Sequence, residues 1–487
     1  MKRKHIYTAL VMLLMPVLAG AQALKGSYFL DNSMDRHRMN PAFTPRSDYF
    51  QLPVIGSTGV GVVSNLDIPT FLYPSEGQLL SFLHRDVSIE TFSKSLPQHP
   101  HLDTEFNTTL LSFGFYSGPK SYWTFDLSTR VLADIDLPRD LFLFLKQGTG
   151  TSGRSFNIGN INAYVSAAVQ ASLGYSREIT KGLRAGAKVR FIAPVAYAGL
   201  NFENVRLNTD RESWNLTTEG YLNTAMPGLD ISNSNDNAMI STGFDLNKML
   251  SKGCLAGWGF SYDLGLEYKY EMEGAFNGFT VAASVTDLGA IFYSSESANS
   301  FALKGSLDWN GFQDVSMNNT DFEATLDDFV SRAEKLLSID ELKSKGSMTK
   351  LTMPSVYAGV DVPFLWNTMS LSLLYSARFS HSYARQELTA SYNLKPCNWF
   401  ALGLNWSFLN TAQTMGFILE FTPKIGPTFY IGTDYMPMAF AKAPLMDNSL
   451  GTDLPDALGL DGWYLPMGLR LNVNFGMSFT LGSKYGR

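Results

Sequence analysis

The chain is poor in charge, in cysteine and in long apolar runs. Charged residues make up 17% of its 487 positions, below the roughly 25% of ordinary soluble domains. The formal net charge is only -6, which leaves no basic footprint for nucleic acid. Two cysteines, Cys254 and Cys397, are too few for a disulfide scaffold. They cannot by themselves complete a structural zinc site either. Beyond the N-terminal segment no run of 18 uncharged apolar residues occurs, so transmembrane helices are excluded. H-E-x-x-H, G-x-S-x-G, Walker A and strand-borne G-x-G-x-x-G motifs are all missing. His99-Pro100-His101 reads as an exposed loop, and His381, between Ser380 and Ser382, as a solvated rim residue. No catalytic, cofactor-binding or metal-ligating residue is assigned, and the chain is not read as an enzyme.

What is present is 45% apolar residues, 13% aromatics and 41 glycines, a composition that argues against disorder. Lys2, Arg3 and Lys4 precede an apolar stretch over residues 6–18, and Ala19-Gly20-Ala21 supplies a small-residue cleavage site. This three-part pattern is a secretory signal peptide, with Gln22 as the mature N-terminus. An exported chain without membrane helices is either a soluble all-β protein or an outer-membrane β-barrel.

Alternation decides between them. Met467, Leu469, Leu471, Val473, Phe475, Met477, Phe479 and Leu481 occupy every second position, separated by small or polar residues. Such a run exceeds the 5–6 residues usual in a soluble sheet. The pattern recurs from Trp258 to Tyr270, from Ala163 to Tyr175, and along 183–191, 369–379 and 400–408. Trp258, Tyr268, Tyr270, Tyr175 and Phe479 stand near the ends of apolar faces, where interface girdles sit. Seventeen candidate strands lie near residues 50–62, 108–117, 121–131, 161–176, 183–199, 200–208, 213–222, 257–271, 277–287, 301–309, 353–362, 368–379, 385–394, 399–408, 413–422, 427–435 and 467–481. Some of these merge, and bacterial barrels carry even strand numbers. The pattern therefore predicts an all-β, antiparallel transmembrane β-barrel of 14 strands, with 16 as the alternative, in the bacterial outer membrane. Loops or short helices are expected in the longer intervals 76–96, 136–147 and 321–345. Pro194 and Pro363 are candidate wall kinks or strand ends, because proline cannot donate to a ladder.

Asp126, Arg130, Arg184, Lys188, Arg190, Asp263, Glu267, Lys269, Arg378 and Arg470 all fall on polar faces of alternating strands. Arg or Lys on the lipid face costs about 2–4 kcal/mol at the midplane, so these residues are assigned to the lumen. Both signs occur. That favours a lumen crossed by ion pairs or filled by an inserted segment over a wide pore selective for one sign.

Near the mature N-terminus stands Asn40-Pro41-Ala42, after Tyr28-Phe29 and Arg38 and before the first strand. It resembles the Asn-Pro-Ala signature of FadL-like fatty-acid transporter barrels and their type IX secretion-associated relatives. That resemblance implies 14 strands and an N-terminal hatch in the lumen. A wider set of residues is similar to an uncharacterised outer-membrane barrel family of Bacteroidota. The set includes Leu52-Pro53-Val54-Ile55-Gly56, Leu72-Tyr73-Pro74, Trp123-Thr124-Phe125-Asp126-Leu127 and Leu137-Pro138-Arg139-Asp140-Leu141-Phe142, mainly within residues 27–200. That family implies an outer-membrane location and no established activity.

The expected organisation is a signal peptide (1–21), a hatch-like segment (22–47) and a barrel (48–487). Tyr28, Phe29, Met39, Asn40, Pro41 and Phe43 are the hatch or ligand candidates. The first functional expectation is a conduit for apolar or amphiphilic small molecules. The alternative is a barrel that anchors or partners surface or periplasmic proteins in export or attachment. Outer-membrane lipid is the expected surroundings in both cases, and no cofactor is expected. A conduit should show a continuous apolar groove. A partner barrel should show a sealed lumen.

Overall fold

The computed structural model describes residues 24–482 except 54, 76–77, 148–153, 158–159, 210–213, 234–239, 246–252, 275, 310–338, 381–382, 410–411, 437–439 and 443–463. The signal peptide and His381 lie outside the described residues. Fourteen antiparallel strands close into a barrel. β1 comprises two pieces, Tyr49–Gln51 and Thr58–Ser64. β2 to β7 are His101–Gly118, Ser121–Asp136, Ile161–Thr180, Leu183–Thr209, Gly257–Glu271 and Gly278–Tyr293. β8 to β14 are Ser355–Phe364, Met369–Phe379, Ala384–Cys397, Phe400–Leu409, Ala412–Phe421, Gly426–Met436 and Arg470–Thr480. Each pairs with the next in sequence. β14 returns to both pieces of β1, Val60 facing Val473 and Tyr49 facing Thr480, which closes the ring.

Side-chain alternation produces a wall with two different faces. Along β14, Leu471, Val473 and Phe475 are exposed, while Arg470, Asn472 and Asn474 between them are buried. Trp258, Tyr268 and Tyr270 of β6 are likewise exposed outward. An apolar exterior around a closed ring leaves no unpaired sheet edge to lipid. Among the described residues no helix is long and apolar enough to cross a membrane. Tight connections such as 119–120, 181–182 and 398–399 join strands at one end, whereas the other end carries all the long ones, 65–100, 137–160, 210–256, 294–354 and 437–469, beside the short 380–383 and 410–411. Short turns are periplasmic and long loops extracellular in such barrels. The protein is an outer-membrane β-barrel.

Three strands predicted within the ring differ in fact. The separate strands expected at 183–199 and 200–208 are one 27-residue strand, β5. The strands expected at 213–222 and 301–309 form as Trp214–Ala225 and Ala298–Trp309 but stand outside the ring. Pro194 marks where this side sheet leaves. β5 pairs with β6 up to Ile192, and with Trp214–Ala225 from Tyr197 onward. The opposite register with β4 shifts between Ala167 and Ala168, beside Pro194. Lacking an N–H, Pro194 cannot extend the ladder, but its carbonyl accepts a 2.7 Å hydrogen bond from Ala256 N. Pro194 is therefore a branch point inside a strand, not a strand end, whereas Pro363 lies next to the last residue of β8.

An extracellular cap sits over the mouth. It contains α1 (Ile68–Phe71), α2 (Ile89–Ser95), α3 (Arg139–Gln147) and the hairpin Leu72–Ser75/Gln78–Ser81. Val87, Phe92, Leu96 and Phe142 form its apolar centre. The interval 76–96, expected to be loop or short helix, holds a strand followed by one short helix. That helix starts where Ser88 Oγ accepts from Thr91 N at 3.1 Å, a side-chain N-cap. Of the interval 321–345, residues 321–338 lie outside the described set, and Ile339–Lys345 is a strand. His101 opens β2 instead of standing in a loop, its ring 4.3 Å from that of Tyr383.

Candidate functional site

The barrel interior is occupied by residues 24–47, which make only two single turns of helix, Lys25–Ser27 and Asp35–Arg38. At the extracellular end of this inner segment, the Lys25 ammonium pairs with Glu387 and donates to the Tyr435 hydroxyl at 2.7 Å. Tyr435 in turn donates to Glu387 at 2.6 Å. Asp434 accepts from the backbone N–H groups of Lys25 (2.7 Å) and Gly26 (3.0 Å). Burial lowers the Lys25 pKa, and the nearby Glu387 only partly restores it.

Tyr28, Phe29, Met39 and Phe43 are buried together against Ala282 and Leu374 of the wall. The Tyr28 ring meets Phe29 and Phe43 edge-on, with centroids 4.9 and 4.8 Å apart, a favoured aromatic arrangement. Burial raises the Tyr28 phenol to about 12.

Asn40-Pro41-Ala42 is seated in a recess of the wall. Asn40 Oδ1 accepts from Ala42 N at 2.9 Å, closing a local turn. Its Nδ2 lies 3.2 Å from both the Leu266 carbonyl and the Tyr28 hydroxyl. Gly186 and Gly265, register partners on β5 and β6, leave this space empty of side chains. A Cβ on Gly265 would stand 2.0 Å from Asn40 Oδ1, and one on Gly186 2.1 Å from the Pro41 carbonyl oxygen.

A network of paired charges surrounds the segment. Asp126 receives His37 Nε2 (3.1 Å), Lys188 Nζ (3.1 Å), Ser112 Oγ (2.8 Å) and Ser172 Oγ (3.2 Å). Glu105 binds Arg130 at 2.7 Å and also Arg378. Arg130 reaches Asp287 at 3.0 Å, and Arg190 bridges Asp287 and Asp263, the latter at 2.8 Å. Asp287 has a left-handed backbone (φ 61°) opposite the register shift at Asp263. Such a bulge re-aims a side chain, and Asp tolerates that conformation better than most residues. Arg184 lies 4.0 Å from Glu178, Lys269 3.3 Å from Glu267, and Arg470 3.0 Å from Asp67 of the cap. The ten charges assigned to the lumen by sequence are all buried or half-buried here. Their partners Glu105, Asp287 and Asp31 were not identified from sequence, nor were Lys25, Glu387 and Asp434, which bind one another, nor Gly186 and Gly265. Nothing in the local pattern marks a cross-barrel partner.

The inner segment separates two cavities. One of about 130 Å³ faces the extracellular side, bordered by Leu24, Met39 and Ile418 on one hand and Arg130, Arg190 and Arg378 on the other. One of about 1010 Å³ opens among the periplasmic turns, bordered by Asp31, Arg46, Lys269, Lys395 and Trp399. Among the described residues no His, Cys, Asp and Glu cluster could hold a metal ion. Cys254 is exposed and Cys397 half-buried, and both are free.

The profile of a family of unknown function, DUF5723, matches residues 41–434, which spans most of the wall. The chain belongs to that family. The match extends well past residues 27–200, where sequence resemblance to an uncharacterised barrel family was densest. No curated protein matches the chain. Solved structures similar to it include the P. putida toluene transporter TodX, at 11% identity and a TM-score of 0.36, covering 92% of this chain and 94% of that one. The Ralstonia pickettii toluene transporter TbuX shows 10% identity and a TM-score of 0.36, covering 92% and 93%. A Pseudomonas aeruginosa FadL homologue shows 12% identity and a TM-score of 0.38, covering 92% and 94%.

Proposed function

We propose that this DUF5723 barrel is a gated conduit for small amphiphilic molecules, with residues 22–47 as its hatch. The observation that carries the reading is the inner segment lying between two cavities. The segment joins the wall at Tyr49. Its described fastenings are ion pairs, hydrogen bonds and packing, all of which exchange without covalent change. The extracellular-side cavity has an apolar border at Leu24, Met39 and Ile418 and an ionic border at Arg130, Arg190 and Arg378. A solute with one polar end matches such a lining better than a wholly apolar one. A purely apolar molecule would strip water from charged groups and give nothing back. Deleting residues 22–47 should leave a folded, heat-modifiable barrel with raised conductance in planar bilayers. Unchanged conductance would sink the hatch reading.

The second reading is a barrel that anchors or partners a surface or periplasmic protein. It is favoured by the ion-paired lumen and by the apolar-centred cap around Phe92 and Phe142. If no amphiphile binds with at least micromolar affinity, about -8 kcal/mol, this reading becomes the better one.

A further inference from the structure

Most ties between inner segment and wall are closed off from water, but Asp31 is different. Its side chain is 33% exposed and faces the periplasmic vestibule. Four cations gather on this one carboxylate: Arg36 at 3.1 Å, Lys269 at 3.6 Å, Arg46 at 3.9 Å and Lys395 at 4.0 Å. Three of these separations exceed hydrogen-bond length, so the carboxylate is held mainly by charge and can be exchanged. Lys269 also touches Glu267 at 3.3 Å. Around the vestibule as a whole, seven basic side chains stand against five acidic ones. The surplus is positive, and the space, about 1010 Å³, is many times the roughly 10–15 Å³ that admits one water.

We infer that this vestibule is a binding site for a small multivalent anion bearing carboxylate or phosphate groups, which takes the place of Asp31 among Arg36, Arg46, Lys269 and Lys395. The anion reaches the site from the periplasmic side, because the tight turns 181–182 and 398–399 frame its opening. Arg36 and Arg46 belong to the inner segment, whereas Lys269 and Lys395 belong to the wall. An anion that binds both sets while freeing Asp31 therefore re-sorts the contacts that seat the segment. That consequence rests on the hatch reading; the site itself does not.

The test is calorimetric titration of the full-length barrel in detergent at low ionic strength, where surface charge is least screened. Tricarballylate and inorganic phosphate serve as separate probes, which tells a carboxylate site from a phosphate site. The wild type should bind at least one of them. Asp31→Asn removes the resident carboxylate and should tighten that probe by about tenfold or more, while Lys269→Gln with Lys395→Gln should weaken it by about as much. Lys269→Gln alone serves if the double variant does not fold. Equal binding by wild type and Asp31→Asn would overturn the inference, as would no binding by either at about 10 mM. Binding with the expected variant pattern but no conductance change on periplasmic addition would uphold the anion site and count against the gate.

Discussion

Gly265 of the barrel wall and Asn40 of the inner segment occupy one another's space: a single methyl on Gly265 would lie 2.0 Å from Asn40 Oδ1. The wall is thinned by a facing glycine pair, and the Asn-Pro-Ala turn fills the recess. Gly265→Ala should therefore unseat the segment or strain the wall. The cost should be about 1–3 kcal/mol, as for other insertions into packed sites. Conductance in planar bilayers and protease access to residues 24–47 read the outcome. Gly118→Ala is the control, since nothing lies within 4 Å of the added carbon. If the two variants behave alike, the recess does not seat the segment.

The two faces of β14 can be tested at adjacent positions. Val473 is 49% exposed on the outer wall, whereas Asn474 is 6% exposed and borders the extracellular-side cavity. Val473→Arg places a charge against lipid and should cost about 2–4 kcal/mol if the site lies near the midplane, enough to block assembly. Asn474→Arg has a polar cavity to enter and should assemble. Heat-modifiability on a gel distinguishes them. Equal tolerance would refute the assignment of faces.

Much of the wall was legible in the sequence because a strand's side chains alternate with period two and lipid punishes every exception. Seventeen candidate strands reduce to the observed fourteen once residues 200–208 join β5 and the strands near 213–222 and 301–309 leave the ring. That departure had one visible sign, Pro194, whose missing N–H ends the pairing with β6. The interior was legible by face but not by partner. Arg130 and Arg190 could be turned inward from alternation alone. Their shared partner Asp287 could not, because a bulge and a left-handed residue aim it there. The inner segment was marked by its density of Tyr28, Phe29, Met39 and Phe43, yet no periodicity tells which wall strands it touches. Lys25 and Glu387 are 362 residues apart, and only the closing of the barrel brings them together.

Phe29 and Met39 separate fastening from ligand binding. Both are buried in one cluster with Tyr28 and Phe43, so Phe29→Ala should cost about 3–5 kcal/mol of local stability and Met39→Ala about 2–5. A conduit role alone would leave heat stability nearly unchanged. Packing of this kind predicts the loss, read as earlier proteolysis of residues 24–47 on warming. Only Met39 borders the extracellular-side cavity, whereas Phe29 borders the vestibule. Met39→Ala should therefore also weaken an amphiphile bound in the extracellular-side cavity, and Phe29→Ala should not. Equal weakening by both would place the ligand elsewhere or tie its affinity to the segment as a whole.

Asp31 sets how acid affects the seated segment. Burial pushes its carboxyl pKa up, but Lys269, Lys395, Arg36 and Arg46 outweigh this and hold it well below the ordinary 3.8. A carboxyl whose folded-state pKa is depressed contributes stability that is fully present above its unfolded value. The contribution is lost only as pH falls through the lower folded value. Asp31 therefore stays ionised, and its tie intact, throughout the range above 3.8. Asp31→Asn removes the charge at every pH. The variant should show higher conductance and faster proteolysis of residues 24–47 than the wild type. The gap between the two proteins should stay constant from about pH 8 down to about pH 5, well above an unperturbed aspartate near 3.9. Paired measurements remove the contribution of titrating groups too distant to couple to Asp31. A gap that closes between about pH 7 and about pH 5 would mean that Asp31 takes up its proton in that range, and its cations would not be holding it as the geometry requires.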